Sequence, residues 1–315
     1  MTRSSALRRA RLRALAKINL DLRVLAKRPD GYHELRTVFQ TISLSDTLEI
    51  AFTPQRKTEI AIDDPAAIPD NLTVRAARLV LDALRITGKV EMRLVKRIPM
   101  GAGLGGGSSD AAAVLLALPV LAGRILPLAR ACDLAQQLGS DVTFFLLGGA
   151  AAAIGRGAEL FPLPDVPARY GVLVAPGLHI STADAYRALS PNLTTELQQN
   201  KIFSFGCQVW AGGLSAAACN DFEAVVFPRH PRLASLKKRL VRAGASPALM
   251  TGSGSAIFGL FRSRAEVSRA LAEMKKENAF RISLVSRARY HAMWWRALEE
   301  HITHGIWPPQ SRYAP

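Results

Sequence analysis

Residues 99–118 read PMGAGLGGGSSDAAAVLLAL. Five of the first nine are glycine; then come two serines, an aspartate and an apolar run. Glycine admits positive φ and lets another group approach the backbone closely, at an entropic cost that a plain turn does not justify five times over. A helix opening straight after such a stretch adds unpaired N–H groups and the positive end of its dipole. The pattern predicts an anion cradled on bare backbone at a helix start, with Ser108 and Ser109 adding hydroxyls for phosphate or Mg²⁺. Two other phosphate loops are excluded. A P-loop needs a lysine and a Ser/Thr after its last glycine, whereas this chain continues Ser108-Ser109-Asp110. Gly101, Gly103 and Gly106 satisfy G-x-G-x-x-G literally, but residues 111–132 hold no acid, and one is needed about 20 residues on to hold a ribose. The strand before the loop, where Val90, Met92 and Leu94 alternate with Glu91 and Arg93, is also one-sided, unlike a doubly covered parallel strand.

Outward from the loop, Ile18, Leu20, Leu22 and Val24 alternate with Lys17, Asn19, Asp21 and Arg23, which predicts a half-buried strand. Arg28-Pro29-Asp30-Gly31 is a turn signal, and a second extended region spans 38–50. Residues 53–70 hold three prolines and read as loop and edge strand. Residues 71–84 have helical spacing. After the loop helix, to about 118, Pro119 and Pro127 bracket a connection. A helix over 128–138 ends at Gly139, and Asp141 could cap a short apolar helix, 142–147. A strand follows at 150–154. The proline-rich segment 162–167 is the linker candidate. Beyond it come a strand (171–175), a helix (184–189), a polar irregular stretch (190–205), a basic helix (232–243), an apolar segment interrupted by glycine (249–261), a helix (266–275) and a last strand (282–285).

Hydrophobic residues make up 49%, enough for a sizeable core. No run of about 18 apolar residues appears, so no membrane span and no membrane partner are expected. Cys132, Cys207 and Cys219 have neither metal nor redox spacing, which fits reduced thiols in the cytoplasm. Net charge is +16, from 41 basic and 25 acidic side chains, favouring an anionic partner such as a phosphorylated metabolite, nucleic acid or a membrane surface. Residues 1–13 carry five arginines and no acid; they read as a solvated basic extension, with organelle import as the alternative. Basic residues are not interleaved with aromatics, which make up only 7%, against a nucleic-acid partner.

The loop from Pro99 through Gly101, Gly103, Leu104, Gly105, Gly106 and Gly107 to Ser108-Ser109 resembles the P-x-G-x-G-L-G-x-x-S-S nucleotide loop of the GHMP small-molecule kinases. Ala16-Lys17-Ile18-Asn19-Leu20 with Arg28–Leu35 resembles the N-terminal signature of one branch, which phosphorylates a cytidine-diphosphate-linked methylerythritol in non-mevalonate isoprenoid synthesis. Leu138–Val142 resembles that branch's catalytic-aspartate segment, and Met250–Ser255 the third glycine motif. Together these similarities span roughly residues 14–290.

The resemblance implies an α+β two-domain fold: an N-terminal domain like that of a ribosomal protein, 14–161, and a C-terminal α/β sandwich, 168–290, with 291–315 left as a tail. It implies ATP and Mg²⁺, a small-molecule cytidine-diphosphate-linked substrate, and a monomer or homodimer. Asp141 becomes the candidate base, although alone it reads as a helix cap; Lys17 becomes the candidate cation, although alone it reads as a solvent-facing strand lysine. Tyr32, His33, Phe39 and Tyr186 would hold the cytosine, with core packing the alternative for Phe39. Asn19 and Thr182 would be polar substrate contacts. Asn71 would reach adenine or cap its helix. Thr251, Gly252, Ser253 and Gly254 would close on the site. No acidic cluster is dedicated to the metal, and whether Ser108 or Ser109 meets it is left open. Asn220-Asp221-Phe222-Glu223 is taken as structural. Homoserine- or mevalonate-type kinases are the alternative activity, and an RNA-binding protein the alternative class.

Overall fold

The computed structural model describes residues 7–157, 159–165, 167–189 and 218–314. Cys207, the stretch 190–205 and residues 1–6 of the basic start lie outside them. The chain opens with two long strands, β1 (Arg8–Lys27) and β2 (His33–Pro54), then β3 (Glu59–Asp63), α1 (Leu72–Leu84), β4 (Gly88–Val95), α2 (Gly106–Ala122), α3 (Leu128–Leu138), α4 (Ser140–Leu147), β5 (Ala150–Gly155) and β6 (Glu159–Pro162). A second unit holds β7 (Tyr170–Val174), α5 (Thr182–Leu189), α6 (Glu223–Val226), α7 (Pro231–Arg242), β8 (Ala248–Met250), β9 (Ile257–Phe261), α8 (Arg264–Glu273) and β10 (Ala279–Ser283). The chain ends with α9 (Arg287–Leu298) and a small pair, β11 (Ile302–His304) and β12 (Gln310–Ser311).

The first sheet runs β3-β4-β2-β5-β6, with β1 paired along β2. All its pairs are antiparallel except β3–β4, which α1 connects as a crossover. Helix α2 packs on this sheet between α1, α3 and α4. It is apolar on every side, with residues 109–121 all buried, as expected of a helix enclosed all round. It also continues through Pro119 and ends at Gly123, so the connection expected from Pro119 starts four residues later. The second sheet, β10-β7-β9-β8, is wholly antiparallel and carries α7 and α8.

Two expectations about the chain ends are corrected. Residues 8–13 are the first part of β1, registered on residues 47–52 of β2, with Ala10 and Leu12 buried between the exposed arginines. An alternation of small apolar residues with arginine is a half-buried strand, and the arginine count masks it. Residues 287–314 are no free tail. Tyr290, Trp294 and Leu298 of α9 join the core of the first domain. The Tyr290 hydroxyl donates to Phe145 O, Trp307 Nε1 donates to Leu146 O at 3.1 Å, and His301 Nε2 bonds Arg9 O at 3.1 Å. The returning segment thus covers β1, whose free edge would otherwise present unpaired backbone.

β1 was expected to be half-buried, but its middle is buried on both sides. Its register on β2 shifts between Leu15 and Lys17 and again between Asn19 and Asp21. Beyond the first shift, Ala16, Ile18 and Leu20 join Leu173, Leu249, Phe258 and Ile282 in an apolar seam between the domains. Their polar neighbours Lys17, Asn19 and Asp21 are buried as well, because the second domain closes over them. Register breaks of this kind re-aim side chains and recur beside active sites. Among the described residues no helix is long and apolar enough to cross a membrane.

Candidate active site

A cleft of about 1090 Å³ opens between the two domains, lined by β1, the loop after it, the glycine stretch, α4 and α5. The glycine stretch is stitched in place from both sides: Lys17 N donates to Leu104 O at 3.0 Å, and Ala256 N to Ala102 O at 3.2 Å. Gly105, at φ +68°, is the cap position of α2 and offers no side chain to its first turn, which also holds no acid. The first N–H groups of α2 are therefore left for an anion. Gly107 faces open space, with only a Leu72 methyl 3.8 Å from where a Cβ would stand. Gly103 has a different reason. At φ +78°, its Cβ would lie 2.2 Å from Thr251 O, so this glycine serves contact between loop and third glycine motif. Ser108 lines the cleft, whereas Ser109 is 1% exposed and its buried hydroxyl has no partner among the described residues. Asn71 caps α1: its Oδ1 accepts from Thr73 N and Oγ1, and its Nδ2 donates to Asp64. The cap reading is thus realised, with Oδ1 and one amide N–H engaged.

Lys17 and Asp141 meet. Lys17 Nζ stands 3.5 Å from Asp141 Oδ2, with side chains 5% and 31% exposed. The ammonium is therefore enclosed while the carboxylate reaches the cleft. Asp141 lies within the first turn of α4, where Gly139 holds the cap position, so the cap reading does not hold. Asn19 sits two residues from Lys17 on the same face, as the strand period requires, lines the cleft, and is tied into a network of hydrogen bonds. Its Oδ1 accepts from Lys17 Nζ at 2.9 Å, Thr251 Oγ1 at 3.1 Å and Gly252 N at 2.9 Å, and its Nδ2 donates to Thr37 Oγ1 at 2.8 Å. Its Oδ1 is fully engaged and one of its two amide N–H groups is used, which makes Asn19 the joint between β1 and the third glycine motif.

The other end of the cleft is aromatic. His33 stacks on Tyr186, with centroids 4.7 Å apart and planes at 22°, and Phe222 meets Tyr186 edge-on at 4.8 Å. Burial and the charge of Asp141 push the Tyr186 hydroxyl up to about 12, and burial with Lys27 lowers His33. Tyr32 is 57% exposed and backed by the Arg156 guanidinium, 3.9 Å from its ring centre; Arg156 also binds Asp30 at 2.8 Å. Phe39 is only 3% exposed and packs on Phe144 at 5.0 Å, so core packing prevails, although its ring edges the cleft beneath Lys17. Thr182 and Ser253 share a hydrogen bond of 2.9 Å across the mouth.

Sequence spacing missed a buried charge cluster under the glycine stretch. Lys96 Nζ binds Asp46 and Asp110, and Asp46 Oδ1 also accepts from Arg97 N and Ile98 N. The available signal was Asp110 itself, a lone acid in an apolar helix. Burial, opposed by Lys96 and reinforced by Asp46, raises Asp110 to about 7. An unfolded aspartate titrates near pH 4. From about pH 4 to about pH 7 the folded chain holds a proton that the unfolded chain has lost, so this contribution to stability falls as pH rises through that window. Asp110→Asn should remove it. The Tm difference between variant and parent is then expected to move in the variant's favour as pH rises from about 4 to about 7; a difference constant with pH would refute the assignment.

Comparison with known proteins gives a consistent picture. The GHMP kinases N terminal domain matches residues 71–149, and the GHMP kinases C terminal domain residues 210–279. The 4-diphosphocytidyl-2-C-methyl-D-erythritol kinase of Solibacter usitatus (strain Ellin6076) is 68% identical over 315 residues, covering 99% of this chain and all of that protein. A crystal structure of 4-(cytidine 5'-diphospho)-2C-methyl-D-erythritol kinase matches with TM-score 0.74 and 39% identity over 87% of this chain and 98% of that one. The homoserine kinase from Cytophaga hutchinsonii ATCC 33406 shares the fold, with TM-score 0.67 and 19% identity over 88% and 95% of the two chains.

Proposed function

The chain belongs to the GHMP kinases, and from that premise we propose that it transfers the γ-phosphoryl group of ATP to the 2-hydroxyl of 4-diphosphocytidyl-2-C-methyl-D-erythritol, a step of non-mevalonate isoprenoid synthesis. The observation that carries this reading is the Lys17–Asp141 pair at 3.5 Å, set between a backbone phosphate cradle and an aromatic recess. Homoserine and mevalonate kinases share the fold at 19% and 17% identity, but neither substrate calls for the Tyr32, His33 and Tyr186 rings.

Phosphoryl transfer is catalysed by positioning and charge stabilisation. The N–H groups at the start of α2 and the glycine stretch would hold the triphosphate. Asp141 would orient the attacking hydroxyl and take its proton, and Lys17 would face the charge that builds on the transferred group. Asn19 fixes Lys17, Thr182 and Ser253 border the alcohol, and Tyr32, His33 and Tyr186 read the cytosine, each stacking contact worth about 1–3 kcal/mol.

Among the described residues no group of three His, Cys, Asp or Glu side chains could hold a metal alone. The donors nearby are hydroxyl and carboxylate oxygens: Ser108 and Asp141 at the cleft, and beside Ser108 the Ser109 Oγ, which has no partner among the described residues. Such a set fits Mg²⁺, which takes few protein ligands and keeps phosphate oxygens and waters. When bound, Mg²⁺ neutralises phosphate charge. We assign the serine contact to Ser108, because it lines the cleft.

The test is to incubate the protein with ATP, Mg²⁺ and the cytidine-diphosphate-linked methylerythritol and to look for a new phosphate by mass. A parallel reaction offers the same phosphorylated alcohol without cytosine. Turnover only of the first is expected; equal kcat/KM for both would remove the aromatic recess from substrate recognition, and turnover of neither would overturn the assignment.

A further inference from the structure

Residues 219–221 leave the second domain to lie beside β1. Leu22 N donates to Cys219 O at 2.8 Å, and Asp221 N to Leu22 O at 3.0 Å. Side chains reinforce the strap: Asp21 Oδ1 accepts from Cys219 N at 3.1 Å, and Asp221 Oδ2 from Val24 N at 2.9 Å. Asn220, 4% exposed, points the other way along the chain of contacts. Its Nδ2 donates to Met250 O at 2.7 Å and Gly252 O at 2.8 Å, and its Oδ1 accepts from Phe222 N at 3.0 Å. Two carbonyls and one N–H at this spacing need an amide, because an acid lacks the donors and a hydroxyl has only one. Glu223 Oε1 accepts from Met250 N at 2.8 Å on the same segment.

These bonds continue to the chemistry. Gly252 N donates to Asn19 Oδ1 at 2.9 Å, and the same oxygen accepts from Lys17 Nζ. We propose that Asn220 is a positioning residue for phosphoryl transfer: by holding Gly252, and through it Asn19, it sets where the Lys17 ammonium stands against Asp141. This rests on the roles given above to Lys17 and Asp141. It also explains why a segment more than 200 residues from Lys17 in sequence is built of a buried amide: misplacing a catalytic group by about 1 Å can cost about 100-fold in rate.

The decisive variant is Asn220→Asp. It keeps the shape and the acceptor for Phe222 N but turns an oxygen toward two carbonyls, so burial and the lost donors raise its carboxyl pKa. Protonated, it regains one donor. At alkaline pH, kcat should fall by at least about 10-fold, with KM for ATP little changed. The ratio of variant to parent kcat should climb as pH falls toward about 5–6. A role confined to stability would lower Tm and leave that ratio flat. If the aspartate variant does not fold, Asn220→Ser, which keeps one donor, carries the same test, with reduced kcat at preserved KM as the expected result. A folded variant with parental kcat at every pH, alongside an inactive Lys17→Ala, overturns the role of Asn220 alone. Parental kcat in Lys17→Ala overturns the underlying assignment of Lys17.

Discussion

Asp141→Asn should leave a folded protein whose kcat is down by about 100- to 10,000-fold, the range that a positioned base contributes. The substitution keeps the side-chain shape and removes only the charge and the ability to take a proton. Asp141 lies in the first turn of α4 without capping it, so no helix start is lost with the carboxylate. Lys17 keeps its bond to Asn19 Oδ1 at 2.9 Å, so the ammonium is not stranded. KM for the alcohol and for ATP should move little, since the interaction is strongest in the transition state. Circular dichroism and steady-state kinetics check this; a kcat within about tenfold of the parent would remove Asp141 as the base.

Gly103→Ala should be the most damaging single-methyl change in the cleft. The added carbon would stand 2.2 Å from Thr251 O, backbone that cannot swing aside, and at φ +78° the residue is strained besides. An L-residue there costs about 1–2 kcal/mol before any clash. To relieve the overlap, the glycine stretch must part from the third glycine motif, carrying Leu104 O away from Lys17 N or Thr251 away from Asn19. Stability and rate should therefore fall together, with a lowered Tm and a loss of about 100-fold or more in kcat/KM. Gly107→Ala is the internal control, because its Cβ meets nothing closer than 3.8 Å: it should keep the parental Tm, and any loss should appear in KM for ATP. Equal Tm values for the two variants would show that the close approach at Gly103 carries no stability.

The parts of the site that sequence makes legible are those whose chemistry is local. A glycine cradle is read from composition, and Lys17 and Asn19 share a face because strand period is 2. What the period cannot show is what comes to meet that face. Asn19 looks wholly available for substrate until Thr251 and Gly252, 232 and 233 residues away, occupy its Oδ1. Phe39 and Asn71 follow their simpler readings, core and cap, because local packing and helix ends claim them first. Asp46 and Lys96 are 50 residues apart and meet only in the folded sheet. The arginines of residues 8–13 hide a strand because pairing with β2, and not composition, decides its burial.

The returning segment over β1 has a consequence for how the chain matures. The first domain is left at Pro162 and re-entered after Ser283, so the second domain is nested within it. Tyr290, Trp294 and Leu298 complete a core to which Leu12, Leu15 and Phe145 already belong, and the Arg8 guanidinium lies 3.8 Å from the Tyr313 ring. During synthesis the nested unit has all its strands before the enclosing one has its last helix. Until that helix is made, the enclosing domain has part of its apolar surface uncovered. The glycine cradle, although made early, belongs to a domain whose core is complete only once Tyr290, Trp294 and Leu298 are in place.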